Sequence, residues 1–240
     1  LFEQKIIDGY QVEFPDKWLQ NENVWEIRRS SKAVIVKFGG EIRTVNQNGR
    51  LKFFHENYES ILAVPYDTPI VGYENHTVNT LRLWSAEAQK QEFDYSSFSR
   101  GEYLKAFEHK HSVESISQIL YPNDSFEEGR ILRLKQEYFL VSAGIQSIIR
   151  TFKKLRRPIE DFAKCTAIHI NDTHPALAIP ELMRILMDEE GLGWDEAWKI
   201  TTETISFTNH TIMAEASEKW NLDMFKELLP RIFMIINEIN

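Results

Sequence analysis

Residues 166–175 read Thr166-Ala167-Ile168-His169-Ile170-Asn171-Asp172-Thr173-His174-Pro175. The first five have the pattern of a short buried strand, and the last five are polar and turn-forming. An amphipathic pattern follows through Leu182, Ile185 and Leu186 and ends near Gly191. Pro180 either starts that helix or kinks it. Strand, polar loop and helix in succession are the repeating unit of α/β layering. In such sheets ligands occupy the crevice beyond the C-terminal ends of the strands. The stretch therefore predicts an α/β fold and nominates its own loop as a site.

Upstream, Ile131, Leu134, Tyr138, Val141, Ile145, Ile148, Phe152 and Leu155 recur at alternating steps of three and four. That seam predicts one helix over 131–155, roughly 37 Å long. Leu132, Phe139, Leu140 and Ile149 widen it, so this is expected to be the longest buried helix. Pro158 closes it, and Cys165, beside an apolar stretch, reads as a buried small hydrophobe. Downstream, Asp195 reads as the N-cap of a helix with Ala197, Trp198, Thr201 and Ile205 on one side. Phe207-Thr208-Asn209-His210-Thr211 interrupts the helical pattern, which resumes over 214–220 and again to the end.

Toward the N-terminus, Tyr103, Leu104, Phe107, Val113, Ile116 and Leu120 suit a helix that Pro122 stops, and Asn123-Asp124-Ser125 is a turn. Residues 32–70 read as β, with runs at 32–38, 41–45, 51–55 and 61–64, and a hairpin signal at Asn48-Gly49. A further strand is expected over 78–84. The first residues read as the middle of a helix, and both ends look cut. Residues 1–100 are thus expected to be β-rich and 101–240 helix-rich.

The 240 residues include 36 acids and 28 bases, for a net charge of −8 with histidine neutral. That balance argues against nucleic acid as the main partner. No apolar run approaches a membrane span of roughly 20 residues. The single cysteine rules out an internal disulfide and fits a reducing, cytoplasmic compartment.

Two polar clusters could carry chemistry. Asn171, Asp172, Thr173 and His174 read either as a ligand site or as a capped helix start. Asn209, His210 and Thr211, with Glu215 further on, read either as a second part of a site or as a polar break between helices. His169, Asp172, His174 and His210 could be assembled into a metal site on paper. The spacing of His169 and His174 is not the i, i+4 of a helical metal motif and no cysteine assists, so no metal is expected. The ten glycines form no phosphate loop, and no serine nucleophile elbow occurs.

Seven runs, in order, resemble the glycogen phosphorylase family. They are Gly9-Tyr10-Gln11-Val12, Pro65-Tyr66-Asp67-Thr68-Pro69, Val78-Asn79-Thr80-Leu81-Arg82-Leu83-Trp84-Ser85-Ala86, Tyr121-Pro122-Asn123-Asp124, Leu132-Arg133-Leu134-Lys135-Gln136-Glu137-Tyr138-Phe139, Asn171-Asp172-Thr173-His174-Pro175 and Thr208-Asn209-His210-Thr211. They cover nearly the whole chain. The resemblance implies part of the N-terminal Rossmann-like domain of a two-domain GT-B-type glycosyltransferase, with 101–240 carrying one wall of the active-site cleft. The implied reaction passes the terminal glucosyl unit of an α-1,4-glucan to inorganic phosphate, giving α-glucose 1-phosphate. The alternative is a non-catalytic glucan-binding or regulatory module.

By the same resemblance, His210 holds the glucosyl unit, and Asn123 and Asp124 form an active-site gate loop. Asp172 and His174 lie near the glucan acceptor subsites, and Glu215 supports His210. Ser125 stands where the family commonly has Asn, and Ala214 where it commonly has Pro. The family implies pyridoxal phosphate on a lysine that lies outside this chain, and a homodimer that packs through the helix over 103–119. The segment by itself is expected to be inactive.

Overall fold

β-branched and aromatic residues are denser up to residue 87 than after it, where long helical periods follow. In the computed structural model, which describes residues 2–15, 25–47, 49–89, 94–213 and 218–239, strands and helices follow that order. The result is a mixed α/β chain. It divides into two units, residues 1–35 with 61–136 and residues 36–60 with 137–240.

In the first unit, β1 (Phe2–Ile7) and β2 (Tyr10–Pro15) form an antiparallel hairpin. This corrects the expectation of a helical start. Asp8 and Gly9 both adopt positive φ, 51° and 83°, the requirement of a tight Asp-Gly hairpin turn. A longer antiparallel pair, β7 (Glu59–Val71) and β8 (Val78–Glu87), runs from Leu62 opposite Glu87 to Val71 opposite Val78, and β3 (Ile27–Arg28) pairs with β7. Asp67 on β7 is buried and takes both Arg82 nitrogens, at 2.6 and 2.7 Å. That hydrogen-bonded pair holds the Asp67 carboxyl below its ordinary range despite burial.

Helix α1 (Tyr95–Ser99) is capped by Asp94, whose side chain accepts from the Ser97 amide. Helix α2 (Tyr103–Gln118) packs on β8 through buried Ala106, Val113 and Ile116, and the Ser117 hydroxyl accepts from the Ala86 amide. Leu104 of the expected apolar stripe stays 92% exposed.

The seam over 131–155 becomes α3 (Glu127–Lys153), the longest helix among the described residues. Leu134, Tyr138, Val141, Ile145 and Phe152 are buried as the period requires, and no strand falls within 134–150. The helix stops two residues early. Lys154 and Leu155 close tight turns onto Thr151 and Phe152, and Leu155 is exposed.

β4 (Val34–Phe38), whose last three residues open the second unit, ends at Gly39, whose amide donates to the Leu228 carbonyl. The hairpin of β5 (Glu41–Gln47) and β6 (Arg50–Glu56) follows, in the expected place. Asn48 of its turn lies outside the described residues. Gly40 needs to be glycine, because its φ is 77° and a Cβ would overlap the Glu56 carbonyl. After α4 (Phe162–Cys165) comes β9 (Ile168–Asn171), and after α6 (Trp194–Thr204) comes β10 (Ile205–Thr208). These two strands pair in parallel, Ile168 opposite Ile205 through Asn171 opposite Thr208.

Pro180 sits in the first turn of α5 (Ala178–Arg184), so it starts the helix. A wide π-helical turn, Ile185–Glu189, continues it to Gly191. The chain ends with α7 (Leu222–Leu228) and α8 (Pro230–Ile239). Buried Arg231 on α8 holds the Asp188 carboxylate with two bonds of 2.8 Å and lies over the Phe53 ring at 3.6 Å.

Four other expectations are corrected here. Cys165 is exposed, because α4 is one turn long and turns the thiol outward, where the Arg157 guanidinium lies 3.2 Å from the sulfur. Gly193, not Asp195, is the N-cap of α6, with the Glu196 carboxylate closing onto its amide at 3.1 Å. Ile205 belongs to a strand, since pairing with β9 overrides the helical period. Residues 218–220 are not helical, and 214–217, which include Ala214 and Glu215, lie outside the described residues.

Candidate functional site

Parallel pairing sends the C-terminal ends of β9 and β10 the same way, so two polar loops emerge side by side. Asn171, Asp172, Thr173 and His174 leave one strand, and Asn209, His210 and Thr211 leave the other. Asp172 has a φ of 57°, a left-handed conformation that Asp enters more readily than most residues. Its amide donates to the Thr208 carbonyl at 2.8 Å, and its carboxylate accepts from the His210 amide at 2.6 Å. The His210 ring Nε2 lies 3.3 Å from Asn171 Oδ1, and the Asn209 side chain accepts from the Thr211 amide. The ring and the amide of His210 are therefore both held by the neighbouring strand end, while His210 stays exposed.

His174 points elsewhere. Its Nδ1 lies 2.9 Å from Glu218 Oε1, and ligand atoms of Glu137, His174 and Glu218 all lie within 4.8 Å of one another. One imidazole and two carboxylates could hold a divalent cation. Of the four residues weighed for a metal from sequence, only His174 belongs to this set. His169 turns to Ser206 and Thr208 on β10, at 3.0 and 2.6 Å.

Asn123, Asp124 and Ser125 belong to the other unit and are shaped by their own neighbours. The Asn123 side chain accepts from the Ser125 amide at 3.0 Å, an Asx turn. The Asp124 carboxylate pairs with Arg133 at 3.0 Å, and the Asp124 carbonyl accepts from Arg130. The loop lies so close to α3 that a Cβ on Gly129 would overlap the Asn123 carbonyl oxygen. All three loop residues are exposed. Glu215 falls outside the described residues.

A sequence profile of the family described as Carbohydrate phosphorylase matches residues 1–240. The chain belongs to the carbohydrate phosphorylase family. It is 54% identical over 240 residues to a glycogen phosphorylase of Bacillus subtilis (strain 168), covering all of this chain and 29% of that protein. It is 48% identical over 241 residues to a glycogen phosphorylase of Chlamydia pneumoniae, and 48% identical over 248 residues to the human brain form. Each comparison covers all of this chain and 29% of the relative. The chain thus spans about three-tenths of the curated relatives it matches. Among the described residues no helix is long and apolar enough to cross a membrane.

This phosphorylase segment carries no described lysine that is buried. An amine that forms an imine at neutral pH needs a desolvated or cation-flanked setting. The described lysines do not fit the role of holding pyridoxal phosphate. Sequence reasoning missed Glu137 and Glu218. Glu137 lies within a helical pattern and Glu218 in a charged stretch, so nothing in their spacing marks them.

Proposed function

We propose that a full-length protein carrying this segment is an α-1,4-glucan phosphorylase that transfers terminal glucosyl units to inorganic phosphate. The observation that carries this reading is the Asp172–His210 clamp at the ends of two parallel strands, in a chain of the phosphorylase family. His210 acts in it by holding the glucosyl unit. With its amide tied to Asp172, its imidazole and its carbonyl are presented to sugar hydroxyls in one orientation. Asp172 and His174 serve the glucan, with Glu215 as support behind His210, and Asn123, Asp124 and Ser125 form the gate loop. The segment is one part of the N-terminal Rossmann-like domain of a two-domain GT-B-type enzyme, residues 101–240 lining the cleft. Pyridoxal phosphate, when bound elsewhere in such an enzyme, supplies the phosphate group for proton transfer. The enzyme is cytoplasmic and homodimeric, and exposed Tyr103 and Leu104 on α2 support partner packing there.

Glucose 1-phosphate formation from maltooligosaccharide and phosphate by the full-length protein, loaded with pyridoxal phosphate, tests the reading. Turnover supports it. Glucan binding without turnover replaces it with a non-catalytic module.

A further inference from the structure

Seven residues after His174 lies a carboxylate that the proposed reaction does not use. Glu181 on α5 is fully buried and accepts four hydrogen bonds. Tyr138 Oη donates at 2.8 Å, Ser142 Oγ at 2.7 Å, and Arg184 donates twice, at 2.8 and 2.9 Å. Gln146 donates on to the Ser142 hydroxyl at 3.0 Å, and Arg184 reaches Glu189 at 2.9 Å. Tyr138, Ser142 and Gln146 are four residues apart, so one face of α3 supplies all three. The dry setting and the neighbouring Glu181 charge push the Tyr138 hydroxyl well above its ordinary range, which keeps it a donor.

A buried ion pair of this kind yields little net stability, because desolvation offsets the attraction. What it does yield is a single alignment, since any shift leaves a buried donor or charge unpaired. The alignment fixed here is that of α5 against α3. From Thr173 to Glu181 the chain is a continuous stack of turns. The Ala176 amide donates to Thr173, Ala178 to Pro175, Ile179 to Ala176, and Glu181 to Leu177. A displacement at Glu181 is therefore passed to Thr173 without a flexible joint. The same α3 comes near His174, because Glu137 adjoins Tyr138 and its carboxylate lies within 4.8 Å of the His174 ring nitrogen.

We infer that Glu181 is a positioning residue: its clamp to Tyr138 and Ser142 on α3 sets where Thr173 and His174 stand. The inference rests on the proposed role of that segment in binding glucan. The test uses a full-length phosphorylase carrying this segment, with Glu181→Gln, and with Tyr138→Phe as a milder change that removes one donor and keeps the ring. Two readouts separate the anchor from the glucan assignment. Amide exchange at Ala176, Ala178 and Ile179 is expected to quicken roughly tenfold in Tyr138→Phe, while residues 168–171 keep their rates. The KM for maltooligosaccharide is expected to rise roughly fivefold, with kcat within about twofold of the parent. Unchanged exchange at those amides overturns the inference, as does a uniform rise throughout residues 137–239, which marks global loosening. Faster local exchange with an unchanged KM leaves the anchor standing and overturns the glucan assignment of the segment.

Discussion

The two polar loops nominated from sequence are built in opposite ways. Asn123, Asp124 and Ser125 are held by partners two to nine residues away. Asp172 and His210 are held by each other, 38 residues apart, and His174 by Glu218, 44 residues apart. The first loop is a local object that its own turn chemistry shapes. The second exists only after β9 and β10 have paired. Substitutions in the first should therefore act locally, and substitutions in the second should also disturb the strand ends that carry it.

The largest effect is expected where the second loop meets substrate. In the full-length enzyme, His210→Ala should lower kcat/KM roughly a hundredfold through lost positioning, and Asp172→Ala should lower it by at least about tenfold. Asp172→Ala should also cost about 1–2 kcal/mol of stability, because the His210 amide loses its acceptor. Near-parental kinetics of His210→Ala, measured with saturating phosphate, would break the comparison at its functional end.

Gly129→Ala comes next. The new methyl must push the Asn123 carbonyl away, so stability should fall about 1–3 kcal/mol by urea unfolding, with activity falling in step. Asp124→Ala should separate the two roles. It removes one exposed ion pair, Asp124–Arg133, and should move stability by less than about 0.5 kcal/mol. Its kcat/KM should still fall roughly tenfold if the loop gates substrate. If Asp124→Ala destabilises as much as Asp172→Ala, the contrast between a local and an assembled loop is wrong.

The smallest effect concerns pH, and it sharpens the assembled side of the contrast away from the site. His55 Nε2 lies 2.6 Å from the Gly39 carbonyl, and burial lowers its pKa from 6.5 even though the carbonyl favours the protonated ring. The unfolded chain then takes up a proton near pH 6.5 that the folded ring resists. The His55 contribution is whole above that pH and is lost as pH falls toward the lower folded-state value. Solvent screening of a half-exposed ring keeps it under about 1 kcal/mol. In His55→Gln, urea midpoints at pH 7 and pH 5.5 should lie closer together than in the parent. An unchanged gap removes His55 as the source.

Periodicity found α3 because a seam of three- and four-residue steps needs no partner to be recognised. The β5–β6 hairpin is equally legible, since Asn48-Gly49 is a hairpin signal in the sequence. Asp8-Gly9 carries the same kind of signal, masked by a flanking stretch that reads as helical. β10 was hidden for a different reason. Ile205 continues the helical period of α6, and only Ile168 across the sheet makes it a strand.

The sequence alone therefore determined the mixed α/β class, the long buried helix, the family and the residue types at both loops. Each of these follows from local period, turn chemistry or ordered motifs. Tertiary structure decided which loop residues meet. The Asp172 carboxylate on the His210 amide, the Glu137–His174–Glu218 group and the Glu181 clamp all join residues 37 or more positions apart. No local pattern encodes such pairs. They arise because parallel strands and packed helices present distant side chains to one another, and because a buried charge must find its partners wherever the fold brings them.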